Sequence, residues 1–302
     1  MNNLFSLFWN NLLPIFLIAG IGFIIGKWLG ISPKPISQVV FYILSPALIF
    51  DLITHSVISG ADITRIGLIV LLTAVILLLL TYFAGRLLHL ERKLLAAVIL
   101  VVILPNAGNY GLSVASFAFG QETLAYASIY FSFSVIVIFT IGVFVASMGR
   151  ASVTDSLIAL LKVPTVYAVI LAFIFLAYNL QVTGPVERAI SMLSDATIPM
   201  MLILLGLQLQ NMAKNIHLRA LSLSTIMRLV VSPLIGLVLA FVLRLNGPLF
   251  QAVVLESAMP SAVISTVLGT EYDVEPAFVA SVVFYTTILS PLTVTPILAF
   301  LK

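Results

Sequence analysis

The chain has 302 residues, 62% of them hydrophobic and 8% charged, with a formal net charge of +3 and no cysteine. Soluble globular domains carry roughly 25% charged residues, so this composition excludes that class and specifies a polytopic membrane protein. The missing cysteine excludes a disulfide, a thiolate metal site and a cysteine nucleophile, while the basic residues matter through their division among loops and imply no nucleic-acid partner.

Stretches of about 20 apolar residues, enough to cross a bilayer, recur along the chain. The first, 12–29, has no basic residue before it and no small-residue cleavage pattern after it, which predicts a retained helix and not a signal peptide. Trp9 and Trp28 flank it as interfacial anchors. Four more follow at 36–54, 66–88, 94–119 and 124–147. The longest loop, 148–162, precedes a second set at 163–180, 189–210, 221–243, 249–268 and 277–301. The expected fold is therefore an all-α integral membrane protein of ten transmembrane helices, with a first five-helix unit at 1–149 and a second at 150–302.

One set of alternate loops holds nine basic residues: Lys27, Lys34, Arg86, Arg92, Lys93, Arg150, Lys162, Lys214 and Arg219. The other set, with both termini, holds Arg65, Arg188, Arg244 and Lys302, and Arg228 lies inside a helix. Positive charge stays on the cytoplasmic side, which predicts a multi-pass protein of the cytoplasmic membrane with both termini outside.

Placing Pro105 over Pro260 aligns "AVIL" at 97–100 with "AVVL" at 252–255, and Ala107 with Ala262. At nearly the same offset "ASIYF" at 127–131 meets "ASVVF" at 280–284, and Thr140 meets Thr293. Each unit has an odd number of helices, so a duplicated unit enters the membrane from the opposite side, as an inverted-topology repeat.

The fourth and ninth segments carry helix breakers inside apolar runs: Pro105, Gly108 and Gly111 in the fourth, Pro260 in the ninth. An unpaired backbone group in hydrocarbon costs several kcal/mol, so a break is tolerated only where protein or a water-lined cavity surrounds it. Isolated prolines at Pro46, Pro199, Pro233 and Pro291 read as kinks, with Ser45, Ser232 and Ser290 able to bond freed carbonyls. The two segments with breaks occupy equivalent places in the repeat, which predicts that they cross. Each half-helix N-terminus presents unpaired N–H groups and roughly half a positive charge. Asn106 and Asn109 add amide donors, and Ser261 and Ser265 add hydroxyls. Such a site binds an anion without a buried lysine, in the manner of a secondary transporter.

The residues "PNAGNYGL" at 105–112, "AMPSAV" at 258–263 and "EYDVEP" at 271–276 resemble the auxin efflux carrier family, which contains the plant carriers and many bacterial organic-anion permeases. The resemblance implies two inverted repeats, related in fold to bile-acid sodium symporters and sodium/proton antiporters. It also implies that the first two helices of each half form a scaffold, commonly a dimerisation surface, and that the other six move as a transport domain. Pro105 and Pro260 match the crossover prolines, and Asn106 matches the asparagine that faces the substrate carboxylate. The family often has proline where this chain has Ser113.

Glu256 lies about 10 Å into the ninth segment and four residues before Pro260, on the face of the break. Three roles fit it: a structural ion pair with Arg228, which sits at a compatible depth; a proton- or cation-coupling group; and direct substrate contact. Asp51 and Asp195 are expected near helix ends. Glu271, Asp273 and Glu275 read as a hydrated loop before Pro276, which can begin the last helix. His55, His89 and His217 have no metal-ligand spacing, and no cofactor or metal is expected.

The leading expectation is a secondary carrier for a small organic anion, a mono- or dicarboxylate, working by rocking or elevator motion. A cation-coupled symporter or antiporter of the same fold is the nearest alternative, although neither break carries the acidic residue antiporters use. An intramembrane enzyme would need a catalytic cluster at depth, and none is visible; a channel is the remaining class.

Overall fold

In the computed structural model of the chain, the described residues are 4–56, 58–147, 161–178, 180–210 and 217–302. Every regular element among them is a helix, apart from one isolated β-bridge. In chain order these are α1 (Leu4–Leu29), α2 (Pro33–Thr54) and α3 (Gly60–Leu87). Next come α4 (Arg92–Ile103), α5, formed by a π-helical turn Ala107–Leu112 that runs into the α-helix Ser113–Phe119, and α6 (Gln121–Ala146). The second half holds α7 (Pro164–Ala177), α8 (Pro185–Gln208), α9 (Leu218–Val242), α10 (Gly247–Ser257), α11 (Ile264–Glu271), α12 (Pro276–Leu289) and α13 (Pro291–Leu301). Residues 148–160 of the expected dividing loop, and Lys214, lie outside the described residues.

Six of these helices, α1, α2, α3, α6, α8 and α9, are each long and apolar enough to cross a bilayer, and α12 with α13, bent by 47°, would make a seventh. The ten apolar stretches read from hydropathy exceed this number for a physical reason. The fourth and ninth stretches are each divided into two short helices, and the sixth forms a helix of 14 residues. A further difference concerns Asp195: α8 starts at Pro185, so this residue is exposed in the middle of the helix and not near its end.

Three membrane prolines share a local solution. Pro14, Pro46 and Pro233 each follow a π-helical turn, at Phe8–Leu12, Val40–Leu44 and Met227–Val231. A proline ring clashes with the carbonyl four residues earlier and offers it no N–H, and widening the preceding turn relieves the clash. Pro199 stays within α8, while Ser290 and Pro291 mark the bend between α12 and α13.

Burial is concentrated on the divided helices. All residues from Leu94 to Ile103 of α4 and from Ala107 to Leu112 of α5 are buried, as is most of α6 and of α10 beyond Gln251. Large apolar side chains instead face outward from the surrounding helices, among them Ile24 on α1, Phe83 on α3, Ile170 on α7 and Phe241 on α9. Such surfaces need hydrocarbon as their solvent. α1 packs on α8, and α2 packs on both α7 and α8. The α1–α8 crossing brings backbones into contact: a Cβ on Gly206 would overlap the Ala19 carbonyl, and one on Gly22 would overlap that of Ile203. This is small-residue packing of membrane helices.

At one end of the bundle Lys93 Nζ donates to Asp273 Oδ2 at 2.9 Å, tying the start of α4 to the α11–α12 turn. The hydrogen bond to Asp273 raises the Lys93 pKa above the ordinary lysine value. Asp273 and Glu275 adopt positive φ, and Pro276 occupies the first turn of α12 as expected.

Candidate functional site

Pro105 forces the chain out of helix. Leu104, the residue before it, is extended at φ −102° and ψ 101°, the region a following proline imposes. Asn106 N–H, which in an unbroken helix would donate to Val102 O, donates instead to Pro260 O at 2.8 Å. In return Ala262 N–H donates to Leu104 O at 2.8 Å. The two breaks thus meet as an antiparallel bridge centred on Pro105 and Ser261, one residue away from a proline-on-proline register. Each break supplies the backbone partner that the other lost.

Crossing leaves other carbonyls to be satisfied, and Arg228 on α9 takes them. Its side chain is buried, with Nη1 donating to Val102 O at 2.8 Å and Nη2 to Ser257 O and to Ser232 Oγ. Ser232 Oγ also donates to Ser257 O at 2.7 Å. Val102 and Ser257 lie at the C-terminal ends of α4 and α10. Each such end carries roughly half a negative charge, so one guanidinium balances the pair. The serine before Pro233 does bond a freed carbonyl, but one from another helix. Ser290, before Pro291, donates to Thr287 O at 2.8 Å on its own helix, and Ser45 Oγ has no partner.

The ion pair between Glu256 and Arg228 is not formed. Among the described residues the lysine and arginine ion pairs are Arg65–Asp62 and Lys93–Asp273, and His55 Nδ1 lies 3.2 Å from Asp51 Oδ1. Depth brought the two side chains to similar levels, but the carbonyls freed by the breaks claim the guanidinium's Nη donors. Glu256 is fully buried and neither carboxyl oxygen has a hydrogen-bond partner. Its carboxyl lies against Gly111, where a Cβ would overlap it. Asn106 Nδ2, Ser261 Oγ and Ser265 Oγ are likewise buried and unpartnered. Four of the residues picked out in the sequence therefore bring orphaned polar atoms to the crossing.

Asn109 behaves differently. Its Nδ2 donates to Gln208 Oε1 of α8 at 3.4 Å, and its carbonyl accepts from Ser113 Oγ at 2.9 Å. The serine that replaces the family proline thus bonds back across one turn. Gly108 faces the Phe131 ring, which a Cβ would approach to 2.8 Å. Tyr110, between these positions, accepts from Ser290 Oγ at 2.9 Å and meets the Phe16 ring edge-on. A cavity of about 10 Å³ behind Pro105 is bordered by Thr73, Tyr130, Ser134 and Arg228, room for one water. The unpartnered Thr73 Oγ1 and Arg228 Nε both belong to residues that border it.

Sequence reasoning missed Gln208, Thr286, Ser257 and Tyr110. Thr286 Oγ1 accepts from Ser261 N–H at 3.2 Å and so holds the second break against α12. The available signal was a polar side chain inside an apolar run. Among the described residues no group of three His, Asp or Glu could hold a metal ion.

With Arg228 on the negative ends, the N-termini of α5 and α11 have no side-chain cap, and the Glu256 carboxyl lies beside the first turns of α5.

Residues 7–298 match the family model described as membrane transport protein. The chain is 28% identical over 268 residues to an uncharacterized transporter of Methanocaldococcus jannaschii, covering 86% of this chain and 87% of the relative. It is 27% identical over 285 residues to an uncharacterized transporter of Methanothermobacter thermautotrophicus, covering 93% and 94%. Auxin efflux carrier component 1 of Arabidopsis thaliana is 27% identical over 135 residues, 43% of this chain and 21% of its own length.

Proposed function

The chain belongs to the membrane transport protein family, and from that premise we propose that it is a secondary carrier moving a small organic anion, a mono- or dicarboxylate, by alternating access. The observation that carries this is the crossing itself: two divided helices bonded to each other through Asn106 and Ala262, with their negative ends capped by Arg228 and no side-chain cap on their positive ends. A carboxylate there accepts from Asn106 Nδ2, Ser261 Oγ and Ser265 Oγ, the atoms that lack partners. Asn109 joins them when it leaves Gln208. Pro105, Pro260, Gly108 and Gly111 keep the backbone open.

The wider architecture we infer is ten spans in two inverted repeats. It is supported by the recurrence of one pattern, α4–break–α5–α6 and then α10–break–α11–α12. The mutual packing of α1, α2, α7 and α8 supports a scaffold distinct from a transport unit of α3–α6 and α9–α13. The exposed apolar face of α7, with Tyr167, Ile170 and Ile174, would serve a homodimer. The distribution of basic residues favours the cytoplasmic membrane with both termini outside.

The test is uptake and counterflow in proteoliposomes with labelled lactate, succinate and indole-3-acetate. Saturable counterflow of one of them is expected, reduced about tenfold or more by Asn106→Ala, the cost of one hydrogen bond to a charged group. Unchanged transport by this variant would remove Asn106 from the site. Flux without saturation or counterflow would make the protein a channel, and conversion of the anion without vesicles would make it an enzyme.

A further inference from the structure

Glu256 is used by nothing described so far. It ends its helix next to Ser257, whose carbonyl takes the Arg228 guanidinium, yet its own carboxyl turns away to the Cα of Gly111 on the other divided helix. Gly111 N–H in turn donates to Asn106 O at 2.9 Å. The carboxyl therefore touches the same π-helical turn that begins at the proposed substrate asparagine. Both oxygens are buried without a donor.

The ionisable groups around it offer no counter-charge. α6 brings Tyr130, which lies close to both Glu256 and Arg228. α9 brings Arg228, engaged with carbonyls. α5 brings Tyr110, whose hydroxyl accepts from Ser290. α3 has Asp62, Arg65 and Arg86 only at its ends, and α13 has no acidic or basic residue. A carboxylate removed from water with neither a cation in contact nor a hydrogen-bond donor takes up a proton.

We propose that Glu256 is a proton-binding site linked to the anion site, so that the protein carries one proton with each carboxylate. The inference rests on the carrier reading given above. With the pocket open and hydrated, an ionised Glu256 is itself the negative charge facing the positive half-helix ends. An anion entering the pocket takes over that role, and two negative charges in a closed, dry site repel. Closure with the anion therefore requires a proton on Glu256, and a proton on Glu256 strengthens anion binding by the same factor. When the site opens on the other side, water returns and the proton leaves with the anion. No bond other than the O–H of the carboxyl forms or breaks.

Two measurements decide it. In the infrared spectrum of the purified protein in lipid, the C=O stretch of a protonated carboxylic acid is expected at pH values where an ordinary glutamate is ionised, and Glu256→Gln removes it. In proteoliposomes with the membrane potential clamped at zero, a gradient of one pH unit is expected to accumulate a monocarboxylate about tenfold above protein-free vesicles. E256Q abolishes that accumulation and flattens the pH profile of counterflow. An acid band that is missing from the wild type, or that survives in E256Q, overturns the proposal, as does carboxylate transport indifferent to the pH gradient. Failure of every carboxylate to move would refute the carrier reading instead, and the infrared band would still judge Glu256.

Discussion

Replacing Arg228 with methionine retains much of the side-chain volume and removes every donor. The guanidinium makes three hydrogen bonds, to Val102 O, Ser257 O and Ser232 Oγ. Bonds to a charged group contribute about 2 kcal/mol each, offset by several kcal/mol for holding the cation away from water. Ser257 O keeps the Ser232 hydroxyl after the change. Val102 O does not have such a substitute, because Pro105 has no N–H and Asn106 N–H is given to Pro260. One orphaned carbonyl adds about 1–3 kcal/mol, and the net loss comes to about 3 kcal/mol. For a chain of this size that is a fall of about 5 °C in thermal midpoint, read as loss of the monodisperse size-exclusion peak in detergent at a fixed heating time. E256Q alone is expected to stay within about 0.5 kcal/mol of wild type, and R228M/E256Q to match R228M. A buried ion pair behaves otherwise: either single change costs about 3–5 kcal/mol by stranding its partner, and the double change recovers part. Recovery of stability on adding E256Q to R228M would refute the capping argument.

Two further outcomes follow from backbone contact and from surface charge. Gly206→Ala drives a methyl into the Ala19 carbonyl, which cannot move without separating α1 from α8, so the same thermal assay should show a loss of about 1–3 kcal/mol; Gly20→Ala, with open space around it, is the control and should change little. At the Lys93–Asp273 contact the lysine pKa is raised by the hydrogen bond to Asp273, so its stabilisation is fully present below the ordinary lysine pKa and disappears as pH climbs through the raised value. Asp273→Asn should erase that alkaline component and leave the midpoint at lower pH nearly unchanged, since an exposed pair contributes little.

The breaks were legible because proline and glycine clustered inside an apolar run interrupt a helix wherever they stand, and the pairing of Pro105 with Pro260 in the repeat pointed to their meeting. Two things were not legible. Hydropathy windows do not register hydrogen-bond ladders, so they passed over the π-helical turns before Pro14, Pro46 and Pro233. Nor could letters reveal which carbonyls a break would orphan. Arg228 and Glu256, the two charges deepest in the sequence, looked like natural partners. The backbone of Val102 and Ser257 decided otherwise, and a carbonyl contributes nothing to composition or motif.

That decision makes the two halves of the crossing unequal. Its backbone is nearly two-fold, since Asn106 N–H to Pro260 O and Ala262 N–H to Leu104 O exchange under one rotation. Its side chains are not: the first break contributes the amide of Asn106, the second the hydroxyl of Ser261, and a single arginine from α9 serves both negative ends. One cation bonded to both divided helices makes it costly for them to separate, because moving either would strand a buried carbonyl on one side and part of a buried charge on the other. On the carrier reading proposed above, the economical motion is one in which α4, α9 and α10 travel together. On that reading the contacts of α5 with α1 and α8, where Asn109 meets Gln208 at 3.4 Å and Tyr110 meets the edge of Phe16, and those of α6 with α2 and α7 are the ones that change.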